Sequence, residues 1–218
     1  MPKKKVEYFD DSKDLGLPII KPGFGKYIAS RTMFPILTLL SREQSLKLKL
    51  TPIDDERVIM VLRYVKGKAL DVGCGANYFI KSYKNGVGVD VVNWGGVDKV
   101  ISDAAKLPFK AGEFGTVTFI ACLNHVPNRE DAVKDAYRVT KKNGKIIITM
   151  LTPAWGRFIH WWRFKNDPDH KIRHIDHEDE LLGMSPAYIK EILQAAGYRN
   201  IKRKRFVFGL NNLFVADK

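Results

Sequence analysis

Lys68-Ala69-Leu70-Asp71-Val72-Gly73-Cys74-Gly75-Ala76-Asn77 is the stretch that decides the fold: an apolar run ending in an acid, then a glycine-rich turn. Ala69, Leu70 and Val72 suit a strand buried on both faces. Gly73 and Gly75 lack the Cβ atoms that would hold a ligand away from the backbone. Tyr78, Phe79 and Ile80 follow and can open a helix whose free N–H groups face the loop. A tight strand-to-helix turn that binds nothing has the same outline, so the stretches beyond it carry the decision.

Glycine turns after a first strand serve both dinucleotides and S-adenosylmethionine (SAM), and spacing separates the two. A Gly-x-Gly-x-x-Gly fingerprint needs a small residue at position 78, where this chain has Tyr78. Asp71, just before the glycines, could meet a ligand ammonium and would repel a pyrophosphate. Gly86-Val87-Gly88-Val89-Asp90-Val91 reads as a second strand ending in a carboxylate able to grip two ribose hydroxyls. Asp103, in the run from Val100 to Phe109, is placed to accept a hydrogen bond from an adenine amino group. The stretch from Phe114 to Pro127 reads as a further strand with a polar pair, Asn124-His125, at its end.

Across residues 66 to 150 these stretches, with Ala136-Tyr137-Arg138-Val139 leading to Gly144-Lys145-Ile146-Ile147-Ile148-Thr149, resemble a class I SAM-dependent methyltransferase. The resemblance is to the small-molecule group that includes quinone-biosynthesis enzymes. It implies an α/β fold, a Rossmann-like seven-stranded, mostly parallel sheet with helices on both faces. It also implies SAM as cofactor, S-adenosylhomocysteine as product, and a cofactor-binding set of Asp71, Gly73, Cys74, Gly75, Asn77, Asp90, Val91, Asp103, Ala104 and Ala121. Within that set the glycine loop holds the methionine part, Asp90 the ribose, and Asp103 with Ala104 the adenine. Three positions depart from the family pattern: Asn77 replaces a third glycine, Asn143-Gly144 replaces a Gly-Gly, and Gly115 replaces an Asp. Asn tolerates left-handed backbone, which accounts for Asn77 and Asn143. Gly115 has no reason legible in the sequence.

The 218 residues, 45% of them apolar, suit one catalytic domain. We expect an N-terminal extension over 1–66, serving in part as a cap, and a methyltransferase domain over 67–218 with an insertion at 151–184. No run reaches the eighteen or so apolar residues of a membrane span, and Met1-Pro2-Lys3-Lys4-Lys5 has no apolar core behind it, so the expectation is a cytoplasmic protein. Two cysteines, Cys74 and Cys122, do not suggest a disulfide framework. The formal net charge of +13 implies an electropositive surface that would attract acids, nucleic acid or anionic lipid. Its densest run, Arg199 to Phe206, reads as an edge strand kept from unwanted pairing by its charge. The sequence sets no oligomeric state.

Apolar residues from Ile28 to Leu40 form a helix-like patch interrupted by Pro35, a candidate cap. Asp54 to Val65 has the pattern of an amphipathic helix with acids in its first turn. The fifty residues between the fifth strand and the one carrying Ile201 exceed a crossover helix, and an insertion there overhangs the substrate end of the sheet. Its Pro153 to Phe164 segment is aromatic and basic, which suits helix packing, a hydrophobic lid or a membrane-interface contact. His170, His174 and His177 lie among acids, but their spacing is not that of a zinc motif and Lys171 and Arg173 oppose a cation, so no metal is expected. Ser185 can cap a helix from Pro186 to Ala196 that Gly197 ends, and Gly209 to Asn212 can join a closing antiparallel pair.

His125 and His174 are the candidate bases or substrate contacts, each with a structural role as the alternative. The expected acceptor is a small apolar or amphipathic molecule resembling a lipid or quinone precursor, with peripheral contact to an anionic membrane surface. RNA is the rival acceptor class, and a SAM-binding protein without catalysis is the third. After the fourth strand the chain has neither the Asp/Asn-Pro-Pro-aromatic motif in which amino-methylating nucleic-acid enzymes resemble one another, since it reads Leu123-Asn124-His125-Val126-Pro127, nor the Pro-Cys of cytosine C5 enzymes, since Ala121 precedes Cys122.

Overall fold

Seven strands form one sheet, the apolar runs supplying its centre and the basic β6 and two-residue β3 its edges. The strands are β1 (Ala69–Val72), β2 (Gly86–Asp90), β3 (Lys99–Val100), β4 (Phe114–Ile120), the longer β5 (Thr140–Leu151), β6 (Arg199–Phe206) and β7 (Asn211–Asp217). The computed structural model describes residues 42–48, 50–155, 157–158, 181 and 183–218. The strand order is β3-β2-β1-β4-β5-β7-β6; the first five are parallel, and β7 runs antiparallel to both β5 and β6. From β1 the chain moves outward to β2 and β3, then crosses back to β4 on the other side of β1. That reversal opens a crevice at the carboxyl ends of β1 and β4, where open α/β sheets bind ligands.

Helices α1 (Arg42–Lys47), α2 (Ile53–Leu62), α3 (Tyr78–Tyr83), α4 (Arg129–Val139) and α5 (Pro186–Ala195) flank the sheet. Leu70, Val72, Val117, Phe119, Ile146 and Ile148 pack on one face with Ala132, Val133 and Ala136 of α4 and Ile189 and Leu193 of α5. Ala69, Ile147 and Leu213 pack on the other with Met60 and Val61 of α2 and Phe79 and Ile80 of α3. All four β1 residues are buried, Asp71 among them, as a strand covered on both faces requires. Each large aliphatic side chain so buried contributes about 1.5–3 kcal/mol. Asp54, Asp55 and Glu56 occupy the first turn of α2, where the helix dipole favours acids.

Ser185 accepts the Tyr188 N–H and Pro186 takes the first helical position of α5. Asn143 and Asn77 adopt the left-handed conformation expected of them, with φ of 60° and 61°. Asn143 lies inside β5, where the pairing jumps from Phe114↔Thr140 to Thr116↔Lys145, so the expected turn before the strand is a bulge within it. The structure also supplies the missing reason for Gly115. A Cβ there would stand 2.6 Å from the Lys66 carbonyl oxygen and 3.3 Å from the Gly67 Cα. The helix after the glycine loop, Tyr78–Tyr83, has only six residues. The β6–β7 connection spans residues 207–210, because Asn211 and Asn212 already belong to β7.

Candidate active site

Asp90 latches the glycine loop. The loop folds over the end of β2, with the Gly73 and Cys74 N–H groups donating to the Val89 carbonyl at 2.9 and 3.0 Å. The Gly75 N–H donates to Asp90 Oδ2 at 2.9 Å and the Val92 N–H to Oδ1 at 3.1 Å. A carboxylate has about four acceptor positions, so two backbone bonds leave Asp90 able to take two hydroxyls. The glycines serve different ends. A Cβ on Gly73 would meet Cys122 Sγ at 2.7 Å, so Gly73 lets the loop close on the end of β4. A Cβ on Gly75 would meet nothing within 4 Å, and that open space is where a ligand can lie against backbone.

Asp71 is buried, and Thr118 Oγ1 donates to its Oδ1 at 2.6 Å. Burial pushes its pKa up to about 7, Thr118 opposes the rise, and the Asp90 charge adds to it. Burial, and then the charges of Asp71, Asp90 and Asp98, also hold the Cys74 thiol protonated well above its usual range. Cys74 is therefore no nucleophile. In a chain of net charge +13, this is a pocket of negative potential. A cationic ligand relieves it, and SAM, with a sulfonium and an ammonium, fits that donor set.

Beyond the loop, Val91 exposes an apolar surface and Ala104 is buried. Asp103 Oδ1 accepts the Ala105 N–H at 2.8 Å and the Asn128 amide at 3.2 Å. The Ala105 bond, then Asn128 and Lys106, outweigh burial and hold the carboxyl below the usual range, so it acts as an acceptor. Asn77 is turned away from this crevice. Its buried Nδ2 donates to the Gly96 carbonyl and Asp98 Oδ2, both at 3.0 Å, and its side chain fills the space that the missing Cβ of Gly88 leaves. Asn77 thus ties the loop to residues 96–98.

At the carboxyl end of β4, Ala121 has a φ of 54° and donates its N–H to the Thr149 carbonyl. Cys122 Sγ donates to the Val72 carbonyl at 2.9 Å. His125 sits in a 3-10 turn (Leu123–His125) and is half-buried. The Asn124 amide N–H lies 3.1 Å from His125 Nε2 and also donates to the Leu181 carbonyl, while the Leu181 N–H returns to the Asn124 carbonyl. With the amide so oriented, Nε2 is the accepting nitrogen. Asn124 joins the returning end of the insertion to the end of β4.

Two further polar residues escaped the sequence reading. Leu151↔Asn211 and Thr149↔Leu213 pair across β5 and β7, so alternation puts Thr149, Leu151, Asn211 and Leu213 on one face. Thr149 and Asn211 are fully buried, and neither Thr149 Oγ1 nor either amide atom of Asn211 has a hydrogen-bond partner. The neighbouring Asn212 is satisfied, accepting from Arg203 Nε at 2.8 Å. The Asn211-Asn212 doublet reads as turn chemistry, which hid its place inside a strand. Asn128, after Pro127, carried no signal of its link to Asp103. Trp155 stacks on Phe158 with centroids 4.9 Å apart.

His174, with His170 and His177, Trp161 and Trp162, and the patch from Ile28 to Leu40, lie outside the described residues. Among the described residues no group of three or more His, Cys, Asp or Glu side chains could hold a metal, and no helix is long and apolar enough to cross a membrane.

The family model described as a methyltransferase domain matches residues 40–203. An uncharacterised protein of Methanocaldococcus jannaschii is 27% identical over 150 residues, covering 66% of this chain and 70% of that protein. The ubiquinone/menaquinone biosynthesis C-methyltransferase of Sinorhizobium fredii is 33% identical over 78 residues, covering 34% of this chain and 30% of that enzyme. The match thus spans under a third of that relative's length. A SAM-dependent methyltransferase of Thermotoga maritima superposes with a TM-score of 0.59 at 17% identity, covering 89% of this chain and 98% of that one. With three-quarters of its length matched, the chain belongs to the methyltransferase-domain family, and its fold is that of the SAM-dependent enzymes.

Proposed function

We propose that the chain transfers the SAM methyl group to a small apolar or amphipathic acceptor, of the kind a lipid or quinone precursor represents. The observation that carries the acceptor class is the pair Thr149 and Asn211. An unpartnered hydroxyl and amide sit on a face otherwise lined by Ile147, Leu213, Phe206 and Val207, Thr149 on the strand bonded to Ala121 and Asn211 on β7 beside it. Leaving such groups buried and unpaired costs about 1–3 kcal/mol each. A ligand oxygen in an apolar molecule would satisfy them. The partial likeness to the Sinorhizobium C-methyltransferase supports the same class.

When bound, SAM supplies a methyl group on a sulfonium, open to direct displacement. In this reading Asp90 takes the ribose hydroxyls, Asp103 the adenine amino group, and ionised Asp71 the ammonium. Val91 and Ala104 flank the adenine, and the Gly73–Gly75 backbone lets the methionine part lie close. Transfer would form the acceptor–methyl bond as the S–CH3 bond breaks, with the electron pair left on sulfur, so the chain need only hold acceptor and sulfonium in line. The acceptor's proton leaves to a base. His125 can take it only by exchanging the Asn124 N–H now bonded at Nε2. The protein's main contribution is proximity and orientation.

Tritiated-methyl transfer from SAM into total cell extract, partitioned between organic solvent, water and RNA, tests the reading. Label in the organic phase, lost with Asp90→Ala, is the expected result; label confined to water-soluble compounds or RNA contradicts it. Once an acceptor is in hand, Asn211→Leu should raise its KM about tenfold or more while leaving SAM affinity unchanged and stability no lower than wild type. An RNA acceptor draws on the net charge of +13, but the densest cations lie on β6, three strands beyond β4.

A further inference from the structure

The turn joining β6 to β7 is built from residues that disfavour it. Val207, Phe208 and Gly209 have φ of 53°, 52° and 82° in succession. The Gly209 N–H donates to the Phe206 carbonyl at 3.2 Å and the Leu210 N–H to the Val207 carbonyl at 3.0 Å, making a single left-handed turn. Such backbone is routine for Gly, tolerated by Asn, and strained for a branched or aromatic residue. Burial offsets the strain at Val207, which is 6% exposed within the apolar cluster around α2. Nothing comparable holds Phe208, which at 61% is the most exposed large hydrophobic side chain among the described residues.

The turn stands at the substrate end of the sheet. β6 runs parallel to β5, so both end there, and the Thr152 N–H, just past β5, donates to the Leu210 carbonyl at 3.0 Å. On the far side of Thr152, residues 153–155 and 157–158 are helical and expose Arg157 and Phe158. Arg205 is exposed immediately before the turn, and no carboxylate occurs from Tyr198 to Ala216. Charge against unwanted strand pairing accounts for the cations along β6. It does not account for a strained, exposed ring at the tip.

We propose that this rim docks on an anionic lipid bilayer, with Phe208 entering the interface and Arg205 and Arg157 meeting lipid phosphates. An apolar insertion and a basic patch are each weak anchors, and together they give reversible binding. The contact rests on the apolar-acceptor reading only for its purpose, since it would bring the substrate end of the sheet to a membrane-dissolved acceptor. Its test uses no acceptor, so the two can fail separately.

The full chain is co-sedimented with phosphatidylcholine vesicles and with vesicles also containing phosphatidylglycerol. Wild type should bind the mixed vesicles, release as salt rises, and ignore phosphatidylcholine alone. Phe208→Gly relieves the strained φ, so it should lose about tenfold in vesicle affinity while Tm holds or rises by about 2–4 °C. Phe208→Ser, which keeps the strain, and Arg205→Glu should lose binding alike, with binding of S-adenosylhomocysteine unchanged in all three. Failure of wild type to bind the mixed vesicles overturns the proposal. So does undiminished binding by Phe208→Gly and Phe208→Ser, or Phe208-dependent binding to single-stranded RNA in place of vesicles.

Discussion

Asp71 ties the electrostatics of the crevice to a measurable pH dependence. Its folded pKa of about 7 stands above the 3.8 of the unfolded chain. Between those values the unfolded state has released its proton and the folded state has not, so stability of the ligand-free protein falls as pH rises from about 4 to about 7. The drop is of order 4 kcal/mol. Binding a cationic ligand has the opposite slope, because the ligand prefers the ionised carboxylate. SAM affinity should weaken as pH falls below about 7, and Asp71→Asn, which keeps an acceptor for Thr118, should bind weakly and lose the slope. Calorimetry at pH 6, 7 and 8 reads this, and a flat wild-type profile contradicts it. Asp71, Asp90 and Asp103 were legible in the sequence because each stands in or just after an apolar stretch, although only Asp90 ends its strand, Asp71 lying inside β1 and Asp103 beyond β3. Asn211 and Thr149 were not, because which face of a strand meets the site depends on cross-strand register.

Strand and helix positions were legible wherever an apolar period was bounded by turn chemistry: β1, β2 and α5 begin and end within a residue or two of their signals, whereas β4 starts where expected but ends at Ile120, and the Asn124-His125 pair lies in a 3-10 turn beyond it. Gly115 shows what one-dimensional reading misses, since its constraint is the Lys66 carbonyl, 49 positions away in sequence, which an added Cβ would approach to 2.6 Å. Gly115→Asp, which restores the family residue, should force β4 off the β1 approach and destabilise by about 1–3 kcal/mol. Urea unfolding checks this, and an unchanged midpoint would mean that the backbone yields freely. The bulge at Asn143 and the left-handed turn at Val207 and Phe208 were hidden likewise, the first by reading Asn-Gly as a strand boundary and the second because neither residue signals a turn.

For the whole molecule, the order reversal at β1 and β4, the acid-rich crevice beneath it and the methyltransferase-domain match converge on one ligand. Composition alone could not do this, because a charge of +13 favours anions while the crevice favours a cation. The most direct measurement is titration calorimetry of the full chain with SAM and S-adenosylhomocysteine, for wild type and Asp90→Ala, with NAD as control. The account predicts wild-type binding of both sulfur ligands and no preference for NAD. It also predicts a loss of about 2–4 kcal/mol in Asp90→Ala, roughly 30- to 1,000-fold in Kd, from two charge-assisted hydrogen bonds and an unlatched Gly75 loop. Preferential binding of NAD, or equal SAM affinity in wild type and Asp90→Ala, would contradict it.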